Sequence, residues 1–547
     1  MVTFGRFPFE DVEGAGSIIL WGHNPSHSDP PKSRRILDAV RSGTELITIN
    51  PKRIPLAKDG KHLRPRPGSD LALALAMINV IIAEGLYDRE FVAKWTHGFD
   101  QLKEHVKQYT PEWAADLTWV PAEDIRQVAR TFATKKPGCI IQGTCALGQQ
   151  EAGFQISRAF SILQSITGAV YGKGSWIRVP MPYWPHLDYP LPEGQPVGTE
   201  EYPLHWELWG RSFGEGQGIS LPDAVLDGKP YPIKMVFLNA GNFVLTQADS
   251  QRFREAFQKL EMFVVMDVRM TETAKLAHIV LPAATFLEKS GLGYSYAVTQ
   301  GLPYLCLRPK VVEPPGECWS EFKFWTTLAQ RMGFDKYFPW HTEEEYVDYE
   351  VKDMNLSFEK LNAMPTHGLM YAQTKYGDEA LVKPFPTPSQ KIELYSDTLK
   401  GLGYHAMPTY YEPTISPVTA PDLAKQYPLI LLTGDREAQF SHTQMREIKK
   451  LRSRAPEPLA TVHPDTARQQ GLADGDMVSV ETPRSGIKLR LKTSPDIMPG
   501  VISIPHGWAE ANVNELTDTK HRDPVTGIPH LKAIMVRACK VAEPAKV

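Results

Sequence analysis

The chain has 547 residues, more than one hydrophobic core holds, so about three domains are expected. Its hydrophobic share of 42% and charged share of 22% are those of a soluble globular protein. A net charge of −3 with a pI near 6.6 gives no reason to expect nucleic acid or an anionic membrane surface as partner.

The first organised stretch is Ser17 to Asp70. An apolar run, Ser17 to Trp21, breaks at Gly22-His23-Asn24-Pro25, a helical pattern follows through Ala39, and a second run, Leu46 to Ile49, ends at Asn50-Pro51-Lys52-Arg53. The pattern predicts strand, turn, helix, strand, turn. Arg64 to Asp70 then forms a polar turn whose amides and Asp70 carboxylate suit a purine edge or a phosphate, a plain helix cap being the alternative. Helical patterns cover Leu71 to Trp95 and Ala122 to Thr134, and Gly138 to Gly143 reads as a further buried strand closed by a small-residue turn. The longest apolar run, Leu71 to Ala83, falls short of a membrane span and predicts a buried helix started at Ser69-Asp70 and stopped at Gly85. Phe154 to Thr167 is a predicted helix.

Residues 181–230 are rich in Pro, Trp and Tyr without a period, with Trp184, His186, Trp206 and Trp209 prominent. Such an insertion lines a channel or covers a site, or forms a solvated aromatic loop or a partner surface. From Lys234 the opening pattern returns. Met235 to Leu238 ends at Asn239-Ala240-Gly241-Asn242, a helical stretch spans Arg252 to Leu260, and Met262 to Met266 ends at Asp267. The spacing agrees between copies: 26 residues from Asn24 to Asn50 and 25 from Asn242 to Asp267. Thr271-Glu272-Thr273-Ala274 and His278 follow, then an amphipathic helix over Trp319 to Met332 and Pro-rich connectors to about Tyr427.

Pro428 to Val547 changes character. Short strands at Leu429 to Leu432, Met477 to Val480, Ile487 to Leu491 and Val501 to Ile504, separated by Gly, Asp and Pro, predict a small β-barrel. Thr433-Gly434-Asp435-Arg436, Ser441-His442-Thr443 and His506-Gly507-Trp508 fall at strand ends, where barrel loops reach a ligand.

Alternating apolar runs and helical patterns argue for βαβ units and parallel sheets. Ligands there sit at the carboxyl ends of the strands, where a Gly admits a phosphate and the next helix offers unpaired N–H groups. Asn50 and Asp267 end the second strand of each copy, the place for a ribose contact. Two copies imply two nucleotide-like groups. The five cysteines, Cys139, Cys145, Cys306, Cys318 and Cys539, match no zinc or iron–sulfur spacing, and most of them read as buried thiols. The first residues lack the basic-then-apolar pattern of a signal peptide, and a cytoplasmic location is expected.

On these residues the chain resembles the molybdopterin oxidoreductases of the dimethyl sulfoxide reductase family. The likeness rests on Trp21-Gly22-His23-Asn24-Pro25, on Gly68-Ser69-Asp70, on Leu276-Ala277-His278 through Pro282 after Thr271-Glu272-Thr273-Ala274, on Leu432 to Arg436, and on Gly475-Asp476, Asn514 to Thr517 and Asp523 to Pro529. Met77 to Ile82, Leu86 to Phe91 and Ile392 to Ser396 are similar to the tungsten acetylene hydratase branch and its uncharacterised relatives.

The resemblance implies an α/β fold of two related Rossmann-like parallel-sheet domains, at 1–180 and 231–400, separated by the 181–230 insertion. A linker at 401–427 and a C-terminal double-psi-type β-barrel cap at 428–547 complete it. It further implies two molybdopterin guanine dinucleotides gripping one Mo or W ion. Gly22, Asn24, Pro25, Asn50, Arg53, Gly68 and Asp70 would serve one dinucleotide and Gly241, Asn242, Asp267, Thr271 and Glu272 the other. Thr433, Gly434, Arg436, His442, His506 and Asn514 would contact pterin or phosphate from the cap.

Family members usually begin with a Cys-rich [4Fe–4S] segment followed by a residue that ligates the metal. This chain starts after both, so no metal ligand and no catalytic side chain is assigned, and position 278 is His where Asp is commoner. The implied activity is oxygen-atom or hydride transfer to or from a small-molecule substrate, with the metal cycling between IV and VI states. The iron–sulfur cluster would lie on an amino-terminal polypeptide or an electron-transfer subunit. The alternatives are a tungsten-dependent, acetylene-type hydratase and an inactive pterin-binding fragment.

Overall fold

The computed structural model describes residues 1–185, 194–381 and 384–541. His186 therefore lies outside the described residues. The first unit is a four-stranded parallel sheet of β1 (Ser17–Trp21), β2 (Glu45–Ile49), β3 (Lys61–Leu63) and β4 (Gly138–Gln142), in the order β3-β2-β1-β4. Trp21 stands opposite both Ile49 and Gln142, so three strands end level along one edge. β1 is buried along its whole length, as expected for a parallel strand covered on both faces.

The crossover from β1 to β2 is a single helical turn, Pro25–Ser28, followed by the helix Pro30–Arg41. The helix Asp70–Ala83 is apolar nearly all round and buried, packed between the helices Ala122–Thr134 and Gly153–Ile166. The helical pattern read over Leu71 to Trp95 is two helices. The first stops at Ala83, and Asp88 opens the second, Arg89–Trp95, by accepting the Phe91 amide at 2.9 Å.

The second unit repeats the first in smaller form. β5 (Met235–Asn239), β6 (Met262–Asp267) and β7 (Ile279–Pro282) form a parallel sheet in the order β7-β6-β5. Again a single turn, Phe243–Thr246, precedes the crossover helix, Ser250–Lys259. The two single turns are entered alike, Asn24 at φ −119°, ψ 80° and Asn242 at φ −113°, ψ 64°. Asp29 and Asp249 then cap the longer helices through the amides of Lys32 and Arg252. The stretch ahead of this sheet is helical in short turns from Pro203 to Leu226.

The C-terminal part closes a six-stranded barrel from β8 (Leu429–Asp435), β9 (Leu459–Val462), β10 (Met477–Glu481), β11 (Gly486–Thr493), β12 (Val501–Pro505) and β13 (Ile534–Lys540). β8 pairs parallel with β12 and β9 parallel with β11; the other pairings are antiparallel. β9 and β13 escaped the sequence reading for separate reasons. β9 is four residues wedged between Pro458 and His463-Pro464, and β13 carries Arg537 and Lys540 within its apolar alternation. No helix among the described residues is long and apolar enough to cross a membrane.

Candidate cofactor site

The site forms where the first sheet's carboxyl edge faces the barrel. β1 ends in Gly22 at φ +60°, a left-handed conformation that favours glycine, and the Gly22 amide donates to the Ile49 carbonyl at 2.9 Å. A Cβ there would lie 3.1 Å from that of Ala146, so the turn also needs the space. β2 runs into Asn50, whose Oδ1 accepts the Lys52 amide at 2.9 Å, and the Lys52 ammonium pairs with Asp435 at the end of β8. Sheet and barrel are thereby joined by a charge pair beside the cavity.

Asp70 is buried beneath this edge. Its Oδ1 accepts the Trp21 indole N–H at 2.8 Å and its Oδ2 the Gln150 amide at 2.8 Å. Burial outweighs these bonds and raises its pKa above the ordinary carboxylate range. The carboxylate therefore organises the floor of the site, holding an aromatic from β1 and an amide from the turn after β4.

A cavity of about 550 Å³ opens above it. Gly22, Asn24, Asn50, Gly68 and Asp70 line it from the sheet side, and Thr433, Gly434 and Arg436 from the barrel, all residues singled out in the sequence. Lys52, Asp435, Lys532 and the segment Gln142 to Leu147 join them. Most cations at this cavity are already neutralised: Lys52 by Asp435, Lys32 by Glu10, Arg66 by Glu412. Arg436 and Lys532 form no ion pair among the described residues. Lys532 donates to the Thr433 carbonyl at 2.6 Å, and burial, with Arg436 beside it, lowers it to about 8. At neutral pH it is still mainly cationic.

Polar atoms around the cavity are also left without partners. His23 Nδ1 and Asn24 Oδ1, on its wall, are buried and unbonded, and so is His506 Nδ1, which lies beside Gly434; His506 and His442 are not on the cavity wall itself. Burial above all lowers His506 to about 3 and His23 to about 4, so both imidazoles are neutral near pH 7. His442 sits between, its Nε2 3.4 Å from an Arg436 Nη and its Nδ1 3.4 Å from His506 Nε2. Two uncompensated cations and several unsatisfied polar atoms around one large cavity fit a bulky, multiply charged anion with hydrogen-bonding edges. Among the described residues no group of three or more His, Cys, Asp or Glu side chains is placed to hold a metal ion.

The second sheet's edge carries the equivalent features in another setting. Asp267 Oδ1 accepts the Arg269 amide at 3.1 Å, as Asn50 does for Lys52, and Arg269 pairs with Glu447 of the C-terminal part at 2.8 Å. Asn242 Oδ1 accepts the Thr273 hydroxyl at 2.9 Å, Asn242 Nδ2 lies 3.4 Å from Glu272, and Thr271 Oγ1 accepts the Ala274 amide. A second cavity of about 490 Å³ lies nearby, lined by Phe243, Thr246, Gln247 and Ala248 and by Thr526 to Pro529. Gly241, Asn242, Asp267, Thr271 and Glu272 are not on its wall. The two cavities share Gln142, Thr144 and Cys145.

Other sequence candidates hold the frame. Pro25 is buried at the first position of its helical turn, and the Arg53 amide donates to the Asp496 carbonyl at 2.6 Å. Asn514 Nδ2 donates to the Leu245 carbonyl at 2.8 Å, tying the barrel to the second unit. His278 Nδ1 accepts the Phe263 amide at 2.9 Å, so this imidazole serves the turn into β7. The sequence reading gave the turn at Gly143 but did not place the segment from Gln142 to Gln150 in the site, although Gly143 after an apolar strand repeats the signal used at Gly22. Lys532 was not singled out although it closely follows the Asp523 to Pro529 stretch, because its site neighbours, Thr433 to Arg436, come from β8 and the residue after it.

Two matching sheet edges beneath one barrel, with a cation-bearing cavity between sheet and barrel, define the class: an α/β fold that grips a large anionic cofactor. The comparisons agree. The sequence profile described as Molybdopterin oxidoreductase matches residues 5–331, and that described as Molydopterin dinucleotide binding domain matches residues 429–535. Acetylene hydratase of Syntrophotalea acetylenica is 32% identical over 539 residues, 92% of this chain and 72% of that protein. The F420-dependent formate dehydrogenase subunit alpha of Methanocaldococcus jannaschii is 30% identical over 96% of this chain and 77% of its own length. The dimethyl sulfoxide reductase DmsA of Escherichia coli is 28% identical over 92% and 68%. The solved acetylene hydratase from Pelobacter acetylenicus superposes with a TM-score of 0.88 at 31% identity, covering 98% of this chain and 80% of that one. The chain belongs to the molybdopterin oxidoreductase family of the dimethyl sulfoxide reductase type, and its barrel is the family's molybdopterin dinucleotide binding domain.

Proposed function

We propose that this chain is the cofactor-gripping catalytic part of a Mo or W oxidoreductase holding two molybdopterin guanine dinucleotides, one per sheet edge. The observation that carries this reading is that Arg436 and Lys532, cations without carboxylate partners among the described residues, line one cavity together with the unbonded His23 and Asn24 atoms. Bound there, the cofactor supplies two-electron redox chemistry at its metal. The chain's own residues bind and orient. Arg436 offers a fork of donors to a phosphate, and Lys532 a point charge. Neutral His442 and His506 offer ring nitrogens to a pterin or phosphate edge, and Asn24, Asn50 and Gly68 frame a guanosine end. Gly241, Asn242, Asp267, Thr271 and Glu272 shape the turn that receives the second dinucleotide. The domain limits given above, 1–180, 231–400 and 428–547, follow this division of labour.

Electrons would leave through a [4Fe–4S] cluster on an amino-terminal polypeptide or partner subunit. All five cysteines are free thiols, and only Cys139 is buried, where most were expected to be: Cys145 and Cys539 are exposed and Cys306 and Cys318 half-buried. Unpaired thiols suit a reducing compartment, and we place the protein in the cytoplasm. A second reading, tungsten-dependent hydration without net redox change, is favoured by the likeness to the solved acetylene hydratase. Assay of the loaded protein with acetylene in the absence of any electron acceptor separates the two. Consumption without an acceptor supports the hydratase, whereas turnover of any substrate only with an acceptor present supports the oxidoreductase.

A further inference from the structure

The loops after β8 and β12 bring the His442 and His506 rings together edge to face, centroids 5.5 Å apart and planes at 71°, although neither loop is regular. His442 and Met445 both take left-handed backbone conformations, φ 50° and 71°, which cost a non-glycine residue energy and persist only where neighbours enforce them. The enforcing group is Arg446. Its guanidinium lies 4.7 Å from the Phe440 ring and 4.7 Å from the Trp508 ring, and one Nη donates to the His442 carbonyl while the other donates to the His506 carbonyl at 2.9 Å. Trp508, fully buried, is anchored by its indole N–H on Glu437 at 2.7 Å, and Glu437 lies 3.7 Å from Arg446. Gly507 completes the join: at φ +83°, a Cβ there would meet the His442 carbonyl oxygen at 2.5 Å.

We propose that Arg446 is a positioning residue of this site, a clasp that ties the two loops through the His442 and His506 carbonyls and fixes both imidazoles against Arg436. The inference rests on the cofactor reading above. Only a planar fork reaches both carbonyls from between two rings; a lysine of equal charge reaches one.

The test uses the full chain purified with whatever cofactor it acquires, comparing Arg446→Lys, Arg446→Gln and Gly507→Ala with Arg452→Gln, which removes another cation over Trp508 but touches neither carbonyl. Guanine nucleotide released by acid is counted per chain, and the imidazole resonances of His442 and His506 are titrated by NMR. The expected result is a drop of about tenfold in retained nucleotide for both Arg446 variants, from loss of charge-assisted bonds, with Arg452→Gln like wild type. Both imidazoles, now solvated, would titrate near the ordinary value of about 6.5. Gly507→Ala, which displaces the His442 carbonyl with Arg446 intact, should behave likewise and keeps the test valid should an Arg446 variant fail to fold. Wild-type retention and unmoved imidazoles in Arg446→Lys would overturn the clasp. Absence of guanine nucleotide from wild type would instead sink the cofactor reading, while the histidine titration still decides the clasp.

Discussion

Asn50 and Asp267 occupy the same place in the two sheets and make the same bond: each side-chain oxygen accepts the amide two residues on, at 2.9 and 3.1 Å. The residues whose amides they hold, Lys52 and Arg269, both reach carboxylates of the C-terminal part, Asp435 and Glu447. The duplication therefore includes the attachment of each sheet edge to the cap. A recognition edge is held rigid by its own turn and by a charge pair, which is what a preorganised cofactor site needs.

Both pairs are partly solvated, so their contribution to stability should be small. A double-mutant cycle on Lys52 and Asp435 in urea unfolding is expected to give a coupling of about 1 kcal/mol, and one on Arg269 and Glu447 rather less. A coupling above about 3 kcal/mol in either would mean a buried, structural bridge.

Asp70 is a different case because its partners are buried with it. Asp70→Ala leaves the Trp21 indole N–H without its acceptor and the Gln150 amide with only the Ala146 carbonyl, and should cost about 2–5 kcal/mol in denaturant unfolding. Asp70→Asn keeps one acceptor for Trp21 and is expected to lose less, on the order of 1–2 kcal/mol. Equal losses would show that Gln150, not Trp21, is the partner that matters.

The neutral histidines set a pH dependence. His506 and His23 are held near 3 and 4 in the fold but titrate at about 6.5 when unfolded. Below that value the unfolded chain binds protons the folded chain does not, so stability falls as pH drops from about 6.5 toward 4, and is unaffected by these groups above it. The slope is up to about 1.4 kcal/mol per pH unit for each histidine. His506→Asn should flatten the fall in melting temperature between pH 6.5 and 4.5; an unchanged slope would remove His506 from the account.

Arg436 and Lys532 should matter for binding more than for folding, since neither closes an ion pair among the described residues. Arg436→Gln and Lys532→Met are each expected to lower retained guanine nucleotide by about tenfold, with thermal melting of the nucleotide-free protein within about 0.5 kcal/mol of wild type. Retention that does not change would place the phosphates elsewhere.

The central strands of the two sheets were legible in the sequence because each is a short, largely apolar run that ends on Gly, Asn or Asp, a signal carried by neighbouring residues; the edge strands β3, three residues of which two are Lys61 and His62, and β7, which ends at Pro282, were not read as strands. The twin turns at Asn24 and Asn242 and the twin ends at Asn50 and Asp267 follow from spacing alone. What stayed hidden depends on distant pairing. β9 is too short and too closely flanked by prolines to register. Asp70 resembled a helix cap until Trp21 and Gln150 were seen to converge on it, 49 and 80 residues away. Lys532 enters the cavity only because β13 pairs with β8.

Release of guanine nucleotide and metal from the purified protein tests the central claim most directly. One dinucleotide per sheet edge predicts about two guanine nucleotides per chain, together with Mo or W. A well-folded sample, made in cells that synthesise the cofactor, that yields no guanine nucleotide would contradict it.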